Sequence, residues 1–136
     1  MKQVILICAM VVAIAFPMQA QDGKHAGIRA AISSQIDAFR AGDADTAFSF
    51  ASPNIQQVFR SPDVFGHMVE QGYPMVWAST GLAFLDLHVD DGQTWQKVQL
   101  RDGDGRLHVI DYKMIEHEGA WRIDGVMFLR SAGQEV

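Results

Sequence analysis

The sequence predicts an α+β fold: N-terminal helices packed on a strongly curved antiparallel sheet of four to five strands. Three observations predict it. Apolar residues recur every three or four positions as far as Gly72. From Tyr73 the period falls to two. Asp91-Gly92, Asp102-Gly103-Asp104-Gly105 and Glu118-Gly119 then cut the alternating half into hairpin-sized runs. Helices followed by a meander leave the sheet one source of cover, the helices themselves. A strongly bent sheet around a long first helix would leave an apolar cone open at one end.

The first helix is expected over His25 to Ala41, where Ile28, Ile32, Ile36 and Phe39 form one stripe. Gln35 and Arg40 lie off that stripe, and Gly42 ends the helix because glycine accepts a left-handed C-terminal position cheaply. Asp43 and Asp45 can cap a second helix that buries Ala47, Phe48 and Ala51. Ser52-Pro53 stops it, since the residue before proline avoids helical geometry. Asn54 can cap a further turn burying Ile55, Val58 and Phe59. Ser61-Pro62-Asp63 starts another helix with a cap, a first-turn proline and an acid at the positive end. That helix carries Val64, Phe65, Met68 and Val69 and closes at Gly72.

Met75 to Ser79 is expected as a short strand, and Leu82 to Asp90 as the next. In the latter, alternation places Ala83, Leu85, Leu87 and Val89 on the core side and Asp86, His88 and Asp90 opposite. Thr94 to Arg101 follows, with Val98 and Leu100 inward; then Arg106 to Glu116; then Ala120 to Leu129. Gly125 inside the last strand predicts a bulge, which would let Trp121, Ile123, Val126 and Phe128 all face the core.

Composition narrows the function classes. The chain has 136 residues, enough for one domain. It opens with Lys2, an apolar run from Val4 to Phe16, Pro17, and Ala20 as a small residue for cleavage. That order predicts a secretory signal peptide over residues 1–20 and a single domain over 21–136, placed in the bacterial periplasm. The apolar run is shorter than the roughly 20 residues a spanning helix needs, so no membrane role is expected after cleavage. Met18 departs from the small residue usual three positions before the cut, and an uncleaved anchor is the other reading. The single cysteine, Cys8, lies in the leader, so the mature chain has no thiol for a disulfide, a zinc-thiolate centre or a nucleophile. Losing Lys2 leaves ten Lys and Arg against sixteen Asp and Glu. Such a surface repels phosphate backbones, and no nucleic-acid partner is expected.

The layout resembles the nuclear transport factor 2-like (cystatin-like α+β) superfamily, with AFRAGDADTAF and the closing WRIDGV as the stretches that carry the likeness. A closer resemblance is to an uncharacterised bacterial family, domain of unknown function 4864. IDAFRAGDADTAFSFASPNIQQVF, SPDVFGHMVEQGYPMVW and WRIDGVMFL carry it, in order, across the mature chain. The likeness implies the cone fold and a small secreted protein, and it implies no activity. The wider superfamily includes ketosteroid isomerases, dehydratases, polyketide cyclases and non-catalytic binding modules, among which a shared fold does not choose.

An isomerase-type site needs a carboxylate base and a hydrogen-bond donor in an apolar pocket, where burial shifts the pKa and strengthens the donor. His108, Ile110, Tyr112 and Met114 share one strand face. On a concave face Tyr112 is the candidate donor and His108 the candidate base. Met68, Tyr73, Trp77 and Phe128 are expected to line the same pocket with Ile110, Tyr112 and Met114. Asp111 and Asp124 alternate away from that face, so the base of the isomerase pattern is missing. The structural alternative is a core tyrosine bonded to a backbone carbonyl and a histidine at a strand edge.

Asp86, His88 and Asp90 share a strand face, but three such positions span about 13 Å, too far for one ion. The row reads as a solvent-facing polar stripe rather than a metal site. The DGDG loop lacks the later ligands and the bidentate glutamate of a calcium loop, and a glycine turn accounts for it. No GxSxG, HExxH, phosphate-binding loop or dinucleotide fingerprint occurs, and no metal or cofactor is expected. Trp95 shares its face with Lys97, Gln99 and Arg101. A tryptophan on a sheet face is a candidate contact for a homodimer. The expected function is binding of an apolar small molecule or a protein partner without catalysis. The alternatives are a cofactor-free isomerase or lyase, and an interaction module whose cone is filled by its own side chains.

Overall fold

The computed structural model describes residues 18–131, with side chains from Gly23 to Leu129. Among these residues five helices precede four strands: α1 Met18–Arg40, α2 Ala44–Ser49, α3 Pro53–Phe59, α4 Pro62–Gly72, α5 Pro74–Trp77, β1 Gly81–Asp90, β2 Gln93–Arg101, β3 Leu107–His117 and β4 Ala120–Ser131. The strands form one antiparallel sheet in the order β1-β2-β3-β4. The fold is α+β, as the sequence predicts. The sheet, however, is not strongly curled. Its meander is open, β1 and β4 do not pair, and its irregularities are local bulges.

The leader reading falls on residues outside those described, except for Met18–Ala20. Helix α1 begins seven residues before the periodicity shows it. Its apolar stripe starts only at Ile28, and Gly23, His25 and Ala26 ahead of it are exposed, so those turns leave no hydrophobic signal. Ile28, Ile32 and Ile36 are fully buried, each contributing about 1.5–3 kcal/mol by leaving water. The end of α1 is held twice. Gly42 takes φ +67, and the Arg40 Nε donates to the Ser79 carbonyl at 2.7 Å, fastening the helix to the approach to β1.

Asp43 caps α2, accepting from the Thr46 amide at 3.1 Å. Ser61 caps α4, accepting from the Val64 amide at 3.2 Å. The cap of α3 is Ser52 rather than Asn54: the Ser52 hydroxyl accepts from the Ile55 amide at 3.2 Å. Pro53 is the first residue of α3, so the stop of one helix is also the start of the next. Val58, expected inside, is 64% exposed, and Val64 on α4 is 54% exposed.

The expected strand at Met75–Ser79 is instead helix α5 with Ala78 and Ser79 after it. Pro74 stands in its first turn, where a missing N–H costs nothing, and Val76 points into the core. The alternation in β1 is also phased differently from expectation. Leu82 and Phe84 pack against the core and Ala83 and Leu85 are exposed. A bulge between Phe84 and Leu87 then turns Leu87 inward. Gln96, fully buried on β2, donates through Nε2 to the Leu85 carbonyl at 3.0 Å, satisfying the backbone that the bulge releases from the ladder. The bulge expected at Gly125 is present: Lys113 pairs with Gly125 and Met114 with Ile123, leaving Asp124 as the extra residue. It keeps Trp121, Ile123 and Val126 against the core, while Phe128 lies 46% exposed.

A short parallel bridge joins the helical layer to the sheet. The Ser52 amide donates to the Ile123 carbonyl at 2.7 Å, and the Ile123 amide donates to the Phe50 carbonyl at 2.9 Å. Ala38 to Ile55 is therefore scaffold that also forms one wall of a cavity.

Candidate functional site

The cavity lies between the helices and the inner sheet face and measures about 280 Å³. Helix α1 supplies Gln35 and Phe39. Ala51, Ile55 and Phe59 come from α3 and the turn before it, and Phe65, Met68 and Val69 from α4. Tyr73 and Val76 close one side, and Tyr112, Ile123, Gly125 and Val126 form the sheet wall. A Cβ added at Gly125 would meet nothing within 4 Å, so the space stays open beside it. A wider and more open groove, about 550 Å³, runs outside between α1 and the start of β4, past Trp121.

An aromatic cluster stiffens the helical wall. Phe65 is its hub, with ring centroids 5.3 Å from Phe48, 5.6 Å from Phe59 and 5.8 Å from Phe39. Tilted and edge-on pairs of this kind are favourable beyond their buried area. Tyr73 stacks on Phe128 at 4.9 Å.

Among the described residues, the wall holds no Asp, Glu, His, Lys or Arg. Its polar members are Gln35, Tyr73 and Tyr112. Gln35 donates through Nε2 to the Ala47 carbonyl at 3.1 Å. Tyr112 is 1% exposed, and its hydroxyl has no hydrogen-bond partner among the described residues. Burial pushes its pKa well above the usual phenol range, so it stays protonated and can donate.

The residues expected at the pocket divide. Met68, Tyr73 and Tyr112 line the cavity. Ile110 and Met114 are buried in the core on either side of Tyr112, Trp77 packs against Phe39, and Phe128 covers Tyr73 from outside. The carbonyl bond considered for Tyr112 is not made among the described residues.

His108 is not brought to Tyr112. Its Nε2 lies 2.7 Å from Asp102 Oδ2, at the turn before β3. Asp102 Oδ1 accepts from the Asp104 and Arg106 amides, each at 2.9 Å. The carboxyl thus organises the DGDG turn, and its pKa is lowered, first by the His108 bond. Asp111 faces the uncovered side of the sheet, with Oδ2 3.2 Å from His88 Nε2. Asp124 accepts from the Ser52 hydroxyl at 2.7 Å and pairs with Lys113 at 3.3 Å. The bulge in β1 breaks up the Asp86, His88, Asp90 row, and His88 turns to Asp111. Trp95 is half-buried on the uncovered face, the side on which Met127 stands 52% exposed.

Sequence reasoning missed Gln35, Ala51 and Gly125 as wall residues. Gln35, expected off the apolar stripe, is buried, and its spacing of seven, three and four from Ile28, Ile32 and Phe39 carried that signal. Ala51 and Gly125 carried none, because sequence does not show whether a small residue stands beside empty space. No helix among the described residues is long and apolar enough to cross a membrane.

One family model, described as a domain of unknown function (DUF4864), matches residues 21–136. Comparison with the curated proteins gives no match.

Proposed function

The chain belongs to this domain-of-unknown-function family, and with no activity attached to that description we propose that it is an exported binding domain. It takes an apolar small molecule into the cavity between helices and sheet, without catalysis. One observation carries this reading: about 280 Å³ of space is walled by aromatic and aliphatic side chains with no acid–base pair among the described residues. Concave apolar sites with a few polar groups are where small ligands bind. An isomerase or lyase would need a base there, and His108 is committed to Asp102 at 2.7 Å.

Export rests on the order Lys2, apolar run, Pro17, Ala20; a periplasmic form beginning at Gln21 is the check. Placement within the nuclear transport factor 2-like superfamily is supported by helices followed by an antiparallel meander. An experimental structure with a different strand order would remove that support.

The test of binding is a methyl-detected NMR titration with naphthalene as probe. Saturable shifts confined to Met68, Val69, Ile123 and Val126 are expected. Shifts spread over the surface, or none, would overturn the reading.

A further inference from the structure

We infer that the uncovered face of the sheet docks a protein partner whose contacting surface is acidic. This site is separate from the cavity and does not rest on the cavity's binding a ligand.

The helices cover the sheet face that carries Val98, Leu100, Ile110 and Tyr112. An antiparallel sheet covered on one side normally alternates, apolar inward and polar outward. Here the outward positions break that rule on three strands. Trp95 on β2 and Val109 on β3 are half-buried, and Met127 on β4 is 52% exposed. Tryptophan and methionine are side chains that protein interfaces concentrate.

The cations select the partner. Lys97 and Arg101 on β2, Lys113 on β3 and Arg122 on β4 all take outward ladder positions. The acids near them offset little of that charge at the surface. Asp111 is 6% exposed, Asp124 is held by the Ser52 hydroxyl and Lys113, and Asp90 stands at the far corner on β1. The face is therefore locally basic in a chain of formal net charge −5. A second copy docked face to face would bring Lys97 and Lys113 of both chains together at the centre, and such like-charge contacts disfavour a pair. An acidic surface meets complementary charge, which steers encounter and fixes register.

The size suits one docked protein. Four strands at the usual spacing and rise give a face of roughly 19 Å by 30 Å, about 600 Å² before side-chain relief. That is on the scale of the roughly 800 Å² per partner that a stable interface buries.

The experiment titrates the full chain, read by NMR, with two capped hexapeptides that share an apolar centre. Glu-Glu-Leu-Phe-Glu-Glu stands in for an acidic protein surface, and Lys-Lys-Leu-Phe-Lys-Lys is its opposite. The acidic peptide is expected to shift the Trp95 indole N–H and the Met127 methyl, saturably, and to bind on the order of tenfold more tightly than the basic one. The double variant Lys97→Gln, Arg122→Gln is expected to weaken it on the order of fivefold, and added salt to weaken it in wild type.

Equal affinity for the two peptides overturns the inference, as do shifts that avoid Trp95 and Met127. Co-sedimentation with phosphatidylglycerol vesicles would assign the face to a membrane. A dimer in sedimentation equilibrium that Met127→Glu dissociates would assign it to a second copy. Either result overturns the inference. The wild-type comparison decides alone, should the double variant fold poorly. Naphthalene binding in the cavity is read at other residues, so this inference and the binding reading fail separately.

Discussion

The hydroxyl of Ser52 donates to Asp124 Oδ1 at 2.7 Å across 72 positions of sequence. The same oxygen accepts from the Ile55 amide at 3.2 Å, so one fully buried serine both caps α3 and ties it to the bulge of β4. Asp124 is available because the bulge leaves it out of the ladder. This knot stands beside Ala51 and Ile123 in the cavity wall.

Ser52→Ala removes the cap and strands Asp124 with Lys113 as its remaining partner. A lost cap costs about 1 kcal/mol and a lost bond to a charged acceptor about 1.5–3 kcal/mol. Because one atom serves both, the expected loss is about 2–3 kcal/mol, read as a lower urea midpoint with an unchanged slope. A loss within about 0.5 kcal/mol, the range of ordinary surface substitutions, would show that the knot is not a structural tie.

The helical half was legible because its punctuation is local. Asp43 and Ser61 cap where their own sequence neighbours require it. Gly125 announced its bulge because glycine inside a strand has few other reasons to be there. The errors arise where the deciding residue is distant. The bulge at Leu85-Asp86 is supported by Gln96 from the neighbouring strand, and nothing within β1 marks it. Met75 to Ser79 alternates well enough for a strand, yet the proline at its head and the burial of Val76 favour a turn of helix. Ser52 takes the cap from Asn54 because Pro53 fits the first helical position and not the interior.

The site was less legible than the fold. Met68, Tyr73 and Tyr112 reach the cavity from three elements, but periodicity reports only which face is buried. It does not separate a side chain packed against its neighbours, such as Ile110, from one beside empty space, such as Tyr112. His108 shares its strand face with Tyr112, and its bond to Asp102 depends on the path of the turn between β2 and β3. The alternation already sent Asp111 to the other face, where it meets His88.

The Asp102–His108 pair sets an acid-sensitive contribution. Asp102 has a pKa below its ordinary 3.8, owing first to the His108 bond and also to the turn amides. A depressed carboxyl pKa means that the folded state prefers the charged form. Its stabilisation is full above 3.8 and is lost as pH falls from there through the lowered value. Asp102→Asn is expected to be less stable than wild type at neutral pH, with the gap closing below pH 3.8 in urea melts taken across pH. A gap that holds constant through that range would rule out titration of Asp102 as its source. Probe binding in the cavity is expected to be unchanged in the variant, because Asp102 is not in the wall.

Asp111 has the opposite sign. It is 6% exposed, its Oδ1 has no partner among the described residues, and burial raises its pKa above 3.8. His88 and Lys97 pull the pKa down and only partly offset burial. Lys97 and Met127 flank it on the neighbouring strands. A raised carboxyl pKa favours folding below the unfolded value, and that advantage is lost as pH rises through the folded one. Asp111→Asn keeps the shape and removes the charge. Wild type and variant are therefore expected to match most closely near pH 3, with the variant the more stable at pH 7. Paired thermal melts at the two pH values measure the difference. If the variant proves the less stable at pH 7, attraction from His88 and Lys97 outweighs desolvation, and Asp111 is a net tie across the uncovered face.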